Sequence, residues 1–145
     1  MGRSAKYTNS DFIRAGLQMA AEGGPASVTM AGLSSRAGAP LGSVYHRFQS
    51  RRVLMGELWL GLVESFQHGF LAELSGGDMT STALYTLRWA RARPLEARVL
   101  MLHRRQDFTG PGWPAGMRTR AGSLAGELNQ GLEDFAFRHF GREDS

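Results

Sequence analysis

The side chains of this sequence that could take part in chemistry are mainly basic, and they concentrate in the first third of the chain. Residues 1–52 carry seven bases and two acids, a net charge of +5, whereas residues 53–145 carry ten bases and eleven acids. The excess of positive charge therefore lies wholly in residues 1–52. Such asymmetry is typical of a segment that meets a polyanion, although a solvated basic surface would look the same by charge alone.

Motifs for catalysis and for metal binding do not occur in the sequence. Cysteine is absent, which excludes thiol nucleophiles, thiolate metal sites and disulfides. The four histidines have no ligand spacing, and Glu64 and His68, one helical turn apart, lack a third ligand. Ser43 lies in Gly-Ser-Val rather than in the Gly-x-Ser-x-Gly of a nucleophile elbow. We therefore predict no enzymatic activity, no cofactor and no metal site.

The composition is that of an ordinary globular protein, with 42% hydrophobic and 21% charged residues over 145 positions. No apolar run reaches the roughly 18 residues that cross a bilayer. The N-terminal residues include no apolar stretch of the kind found in signal peptides. We expect a soluble, cytoplasmic protein that does not enter a membrane.

Apolar residues recur at intervals of three and four along most of the chain, which predicts an all-α fold. The spacing predicts helices over 11–22, 30–37, 40–48, 50–74, 80–92, 94–105 and 115–140. Asn9 or Ser10 could cap the first helix and Thr29 the second. The last helix is expected to bury one face, made of Met117, Ala121, Leu124, Leu128, Leu132 and Phe135.

The second and third predicted helices are short and are joined by Gly38-Ala39, which is typical of a helix-turn-helix. Eight helical residues are about 12 Å long, and the major groove of DNA, about 12 Å wide, admits one helix. The third helix would direct Val44 and Phe48 inward. It would present on its outer side Pro40, Leu41, Gly42, Ser43 and His46.

Phosphate contacts are expected around this helix. Thr29 and the Ser50-Arg51-Arg52 run stand at helix N-termini, where free N–H groups attract anions. Arg3 and Lys6 lie on an N-terminal arm that we expect to be disordered. The predicted DNA-contacting residues are Lys6, Thr29, Pro40, Leu41, Gly42, Ser43, Tyr45, His46, Arg47 and Arg51.

Three motifs follow one another without a gap: Ala37-Gly38, the run Gly42-Ser43-Val44-Tyr45-His46-Arg47-Phe48, and Ser50-Arg51. In their order and spacing, residues 12 to about 58 resemble the DNA-binding domain of TetR-family transcriptional regulators. Three positions depart from the family pattern. Ala20 replaces a large aromatic residue, Arg51 replaces a lysine, and Arg52 replaces a frequent acid.

The resemblance implies a homodimer that binds a palindromic operator of double-stranded DNA, with a helical second domain that holds a small-molecule effector. It predicts a helix-turn-helix domain over residues 1–50, and a ligand-binding and dimerisation bundle over residues 51–145. We expect a repressor that a small apolar ligand releases from DNA. The chain is short for the family, and we expect a truncated C-terminus, the alternative being a dimer built on another surface.

The second domain is rich in aromatic residues, most of which would be core by the simplest interpretation. A pocket is nonetheless expected among Trp59, Phe66, Phe70, Tyr85, Arg88, Trp89 and His103. Two other functions stay open at this point. One is a helical small-molecule binding protein or enzyme that has lost DNA recognition, and the other is a module that only dimerises and recruits partners.

Overall fold

The computed structural model describes residues 6–141, and in that range the chain is helical, as predicted, with no β-strand. Its α-helices are α1 (Asn9–Gly23), α2 (Met30–Ala37), α3 (Leu41–Arg47), α4 (Arg51–Ser75), α5 (Met79–Ala92), α6 (Pro94–Leu102) and α7 (Ala115–Phe140). Short 3₁₀ turns cover Pro25–Ser27 and Arg105–Asp107. None of the described helices combines the length and apolar character that a membrane span requires.

The chain divides into two compact units. The first consists of Met1–Trp59 and Leu95–Pro114, and the second of Leu60–Pro94 and Ala115–Ser145. The first unit therefore contains the start of α4 and most of α6 in addition to α1–α3. This division follows contacts within the chain. The division by function predicted from the sequence, into residues 1–50 and 51–145, stays a prediction.

Helix α1 begins before the predicted position because Thr8 caps it, and neither Asn9 nor Ser10 does. Thr8 Oγ1 accepts a hydrogen bond from Asp11 N at 3.2 Å, and the Asp11 carboxylate accepts one from Thr8 N at 2.7 Å. This reciprocal arrangement is a capping box, which satisfies two N–H groups that a bare helix end would leave without partners. The hydrogen bonds from Thr8 also hold the pKa of Asp11 below its ordinary value.

Helices α1–α3 enclose the core of the first unit. Phe12, Val44 and Phe48 are almost completely buried, and the rings of Phe12 and Phe48 meet edge to face at 6.1 Å between centroids. Thr29 caps α2 as predicted, accepting a hydrogen bond from Gly32 N at 3.0 Å. Helix α2 ends at Gly38, whose φ of 67° lies in the left-handed region that glycine adopts most readily.

Residues 95–114 contribute a second patch of core to the first unit. The buried Phe108 stacks on Trp59 with ring centroids 5.5 Å apart. Arg52, at the start of α4, donates a hydrogen bond to the carbonyl oxygen of Pro111. Helix α6 ends at Leu102 rather than at the predicted Arg105, and the chain continues through the 3₁₀ turn Arg105–Asp107.

The second unit is held together by α7 and by an aromatic cluster on α4 and α5. The prediction of one buried face on α7 was wrong for much of its length. Met117 is buried, but Leu132 is 43% exposed, and Ala121, Leu124, Leu128 and Phe135 are half-buried. The helical period identifies the residues that share a face, but it does not show how much neighbouring protein covers them.

Gly69 of α4 allows α4 and α5 to approach closely. A Cβ at Gly69 would lie 2.5 Å from Tyr85, whose hydroxyl is fixed by donation to the carbonyl oxygen of Phe66 at 2.8 Å. We expect Gly69→Ala to destabilise the protein by about 1–3 kcal/mol through overpacking. Gly61→Ala, in the same helix, meets no atom within 4 Å and should stabilise by up to about 1 kcal/mol. Urea unfolding followed by circular dichroism measures both, and equal effects would contradict the close approach.

Candidate nucleic-acid interface

Helix α3 lies with one side in the core and the other in solvent. Val44 and Phe48 are buried on the inner side, with 0% and 2% of their surface exposed. Leu41 and Tyr45 are 45% and 49% exposed, although large apolar and aromatic side chains usually avoid water. Pro40, Gly42, His46 and Arg47 are also exposed, whereas Ser43 is half-buried. This agrees with the predicted orientation of the helix, while contact of these residues with DNA remains a prediction.

The dimensions of α3 suit a groove of DNA. The helix has seven residues, and a helix of that size is about 10 Å long, against a major groove about 12 Å wide. Pro40 stands just before the first helical residue and not within the helix. The outer side carries His46 and Arg47 and no carboxylate. A helix with these properties can approach a polyanion without charge repulsion.

Tyr7, which follows Lys6 on the arm that was expected to be disordered, is held against the turn between α2 and α3. The Tyr7 hydroxyl donates a hydrogen bond to the carbonyl oxygen of Gly38 at 2.6 Å. Arg47 Nη2 donates one to the carbonyl oxygen of Tyr7 at 3.3 Å. Lys6 Nζ lies 5.6 Å from the centre of the Tyr7 ring. Arg3 lies outside the described residues.

A small cavity of about 250 Å³ opens between this arm and α3. Its lining consists of Lys6, Tyr7, Phe12, Pro40, Ser43, His46 and Arg47. The lining includes three side chains that can carry positive charge and no acidic one. Sequence reasoning did not single out Tyr7, because its partner at Gly38 is 31 residues away.

Arg51 is tied to backbone carbonyl groups of the first unit. Its Nε donates to the carbonyl oxygen of Val28 at 2.6 Å, and its Nη2 donates to that of Pro25 at 2.8 Å. Both carbonyl groups belong to the loop that leads into α2, so the two hydrogen bonds from Arg51 hold that loop in position. A guanidinium has five N–H donors, so a phosphate contact by Arg51 is still feasible and remains a prediction.

The residues predicted to line a ligand pocket are divided between the two units. Phe66, Phe70, Tyr85 and Trp89 form one cluster in the second unit, in which Phe66 lies 5.3–5.5 Å from each of the others by ring centroid. Burial raises the pKa of Tyr85. Trp59 and His103, in contrast, belong to the first unit and flank Phe108 there.

Two buried polar atoms in the described part of the second unit, one of them in this aromatic cluster, have no hydrogen-bond partner. Among the described residues, Trp89 Nε1 and Ser65 Oγ make no hydrogen bond. Buried donors are normally satisfied, so each is a place where a bound molecule could be recognised. Arg88, one of the polar residues predicted for the pocket, pairs with Glu73 at 2.9 Å, and the Arg88 side chain is exposed.

A metal site does not form within residues 6–141, since no three His, Asp or Glu side chains lie close enough together. Glu64, which the sequence placed one turn from His68, forms a two-pronged ion pair with Arg120, with Nη2 and Oε2 2.7 Å apart. His68 itself is exposed. The charge of Glu64 is therefore compensated by a side chain of its own unit.

Comparison with known proteins finds one family model and one solved structure that are similar to this chain. The family model described as bacterial regulatory proteins, tetR family, matches residues 12–58. A solved structure from Shewanella sp. PV-4, assigned to the tetR family of transcription regulators, has the same fold with a TM-score of 0.62 and 23% identity. That match covers 86% of this chain and 70% of the other. No curated protein matches the sequence.

Proposed function

We propose that this chain, whose residues 12–58 match the family model described as bacterial regulatory proteins, tetR family, regulates transcription by inserting α3 into the major groove of an operator. The observation that carries the proposal is the exposed side of α3. Leu41, Tyr45 and His46 are in solvent there, although Leu41 and Tyr45 would be costly surface without a partner. A thymine methyl group is a natural partner for Leu41.

We propose that the operator is palindromic and that two copies of the chain bind it. Apolar side chains that the second unit leaves in solvent favour such an assembly. They include Leu84, Leu87, Leu132, Phe137 and Phe140, with exposures between 43% and 75%. Covering exposed apolar surface is the principal driving force for association between protein chains.

We further propose that the second unit binds a small effector and that the protein is a repressor released by it. The cluster of Phe66, Phe70, Tyr85 and Trp89 supports a mostly apolar, ring-containing ligand. The unpartnered Trp89 Nε1 and Ser65 Oγ favour a ligand that also carries a hydrogen-bond acceptor. Release follows if the ligand binds better to a conformation that holds DNA less well.

The proposed function is tested by selection from a pool of random DNA duplexes with the full-length chain. We expect an inverted repeat to be enriched, with half-sites separated by one helical turn, about 34–36 Å, or a multiple of it. Enrichment of a single half-site would contradict the dimeric mode of binding. Failure to enrich any sequence over the starting pool would contradict operator recognition.

Leu41 and Arg51 are expected to differ in their effect on DNA binding. Leu41→Ala should change the preference at one or two base positions by about 1–3 kcal/mol each, because Leu41 would face base edges. Arg51→Ala should lower the affinity for every DNA sequence by the same factor, because Arg51 positions the loop before α2 through hydrogen bonds to Val28 and Pro25. Affinities for single-base variants of the selected sequence measure both. A base-dependent effect of Arg51→Ala would contradict this division of roles.

The runner-up function is a helical small-molecule binding protein that has lost DNA recognition. The buried, unpartnered Trp89 Nε1 favours it, because a donor without a partner in the aromatic cluster would be satisfied by a bound ligand. A ligand retained through purification, together with no mobility shift on any duplex, would support this alternative. The basic, acid-free outer side of α3 argues for the DNA-binding function instead.

A further inference from the structure

We propose that Tyr7 assembles a composite phosphate site in which Lys6 from the N-terminal arm joins His46 and Arg47 from α3 around one backbone phosphate of the bound duplex. The inference rests on the proposed function and deepens it, because it assigns Tyr7 the role of a positioning residue. If only α3 contacted the DNA, the N-terminal arm would have no part in binding.

The Tyr7 side chain is held by a hydrogen bond from its hydroxyl and by contact of its ring with another aromatic ring. Its hydroxyl donates to the carbonyl oxygen of Gly38 at 2.6 Å, and its ring lies 6.2 Å from that of the buried Phe12. Gly38 is the left-handed residue at the end of α2, so its carbonyl is part of the helix-turn-helix turn. The arm is therefore anchored to the element that sets the direction of α3.

Because Tyr7 is held in place, the position of the neighbouring Lys6 is restricted as well. Lys6 Nζ lies 5.6 Å from the centre of the Tyr7 ring, a distance at which a cation and an aromatic face attract each other. Arg47 Nη2 donates to the Tyr7 carbonyl at 3.3 Å and so holds the same residue from the side of α3. Fixing Lys6 before DNA arrives removes part of the entropy cost of a contact made by a flexible arm.

The cavity beside Tyr7 has the chemistry of an anion site. Lys6, His46, Arg47 and the Ser43 hydroxyl can all donate hydrogen bonds, and no carboxylate lines the cavity. The nearby Asp11 carboxylate is engaged by the N–H and hydroxyl of Thr8 at 2.7 and 2.8 Å. Positively charged donors with no competing acid favour a phosphate. Because α3 lines the same cavity, the phosphate that fits is one flanking the groove that α3 enters.

The test is a double-mutant cycle on Lys6 and Tyr7 in the full-length chain. The probe is a fluorescently labelled duplex of mixed sequence, because phosphate contacts do not depend on base sequence. Lys6→Gln should weaken binding about threefold to fivefold and reduce the slope of log K against log salt by about 0.9. Tyr7→Phe keeps the ring and every charge, yet it should reproduce most of both effects because Lys6 is no longer held in place.

The double variant should be no weaker than Lys6→Gln alone, since both changes remove the same contact. Arg91→Gln, which removes one exposed charge from α5, should leave the salt slope unchanged. A Tyr7→Phe protein with the wild-type salt slope, or effects of Lys6→Gln and Tyr7→Phe that simply add, would overturn the proposal. An unmodified chain that does not bind the duplex would instead contradict the proposed function itself.

Discussion

Replacing His46 with glutamate is expected to lower affinity for duplex DNA by about tenfold to a hundredfold, because a carboxylate is then directed at a phosphate or a base edge. Like charges brought together at an interface cost up to several kcal/mol, and about 1.4 kcal/mol corresponds to each tenfold loss. His46 is exposed on α3 and lines the cavity with Lys6 and Arg47. The free energy of unfolding should stay within about 0.5 kcal/mol of the unmodified protein.

The matched control for His46 is His68→Glu. His68 is also an exposed histidine on a helix, but it lies on α4 within the second unit. Fluorescence anisotropy with a labelled duplex, together with urea unfolding, separates the two variants. Equal losses of affinity for both variants would show that only the net charge of the chain matters. No loss of affinity for His46→Glu would contradict the contact of α3 with DNA.

Phe48→Ala is expected to lower the free energy of unfolding by about 3–5 kcal/mol. Phe48 is 2% exposed, and its ring packs edge to face against Phe12 with centroids 6.1 Å apart. A loss of this size is a large part of the 5–15 kcal/mol that stabilises a typical domain. DNA affinity should fall with it, because Phe48 and Val44 are the inner side chains that keep α3 in place.

The control for Phe48 is Met101→Ala on α6. Met101 is 78% exposed, so its truncation should change the free energy of unfolding of the chain by no more than about 0.5 kcal/mol. Urea unfolding followed by circular dichroism gives both values. A change below about 1 kcal/mol for Phe48→Ala would contradict the packing of α3 against α1.

The parts of the fold that local signals determine could be predicted from the sequence. The apolar period identified an all-α chain, and the limits of α2 and α7 agree with the structure. Thr29 and Gly38 marked the ends of α2 through their side-chain and backbone preferences. The inner and outer sides of α3 followed from the same period. Each of these features depends on residues within a few positions of one another.

The features that depend on distant residues could not be predicted. The Tyr7 hydroxyl meets Gly38, and Arg51 meets Val28, through hydrogen bonds that link residues 31 and 23 positions apart. That Trp59 and His103 belong to the first unit and the aromatic cluster to the second likewise depends on how α4 and α6 are divided between the units. The cap at Thr8 differs, because its Thr-x-x-Asp pattern is readable in the sequence and the nearer Asn9 and Ser10 were preferred over it.

The central claim of this account is that the first unit binds the phosphate backbone of DNA, and the most direct test is the salt dependence of duplex affinity. Anisotropy of a labelled duplex, titrated with the full-length chain between about 50 and about 200 mM salt, measures it. We predict that log K falls linearly with log salt, with a slope of about −0.9 for each phosphate neutralised. Equal affinity at the two ends of that range would contradict the claim.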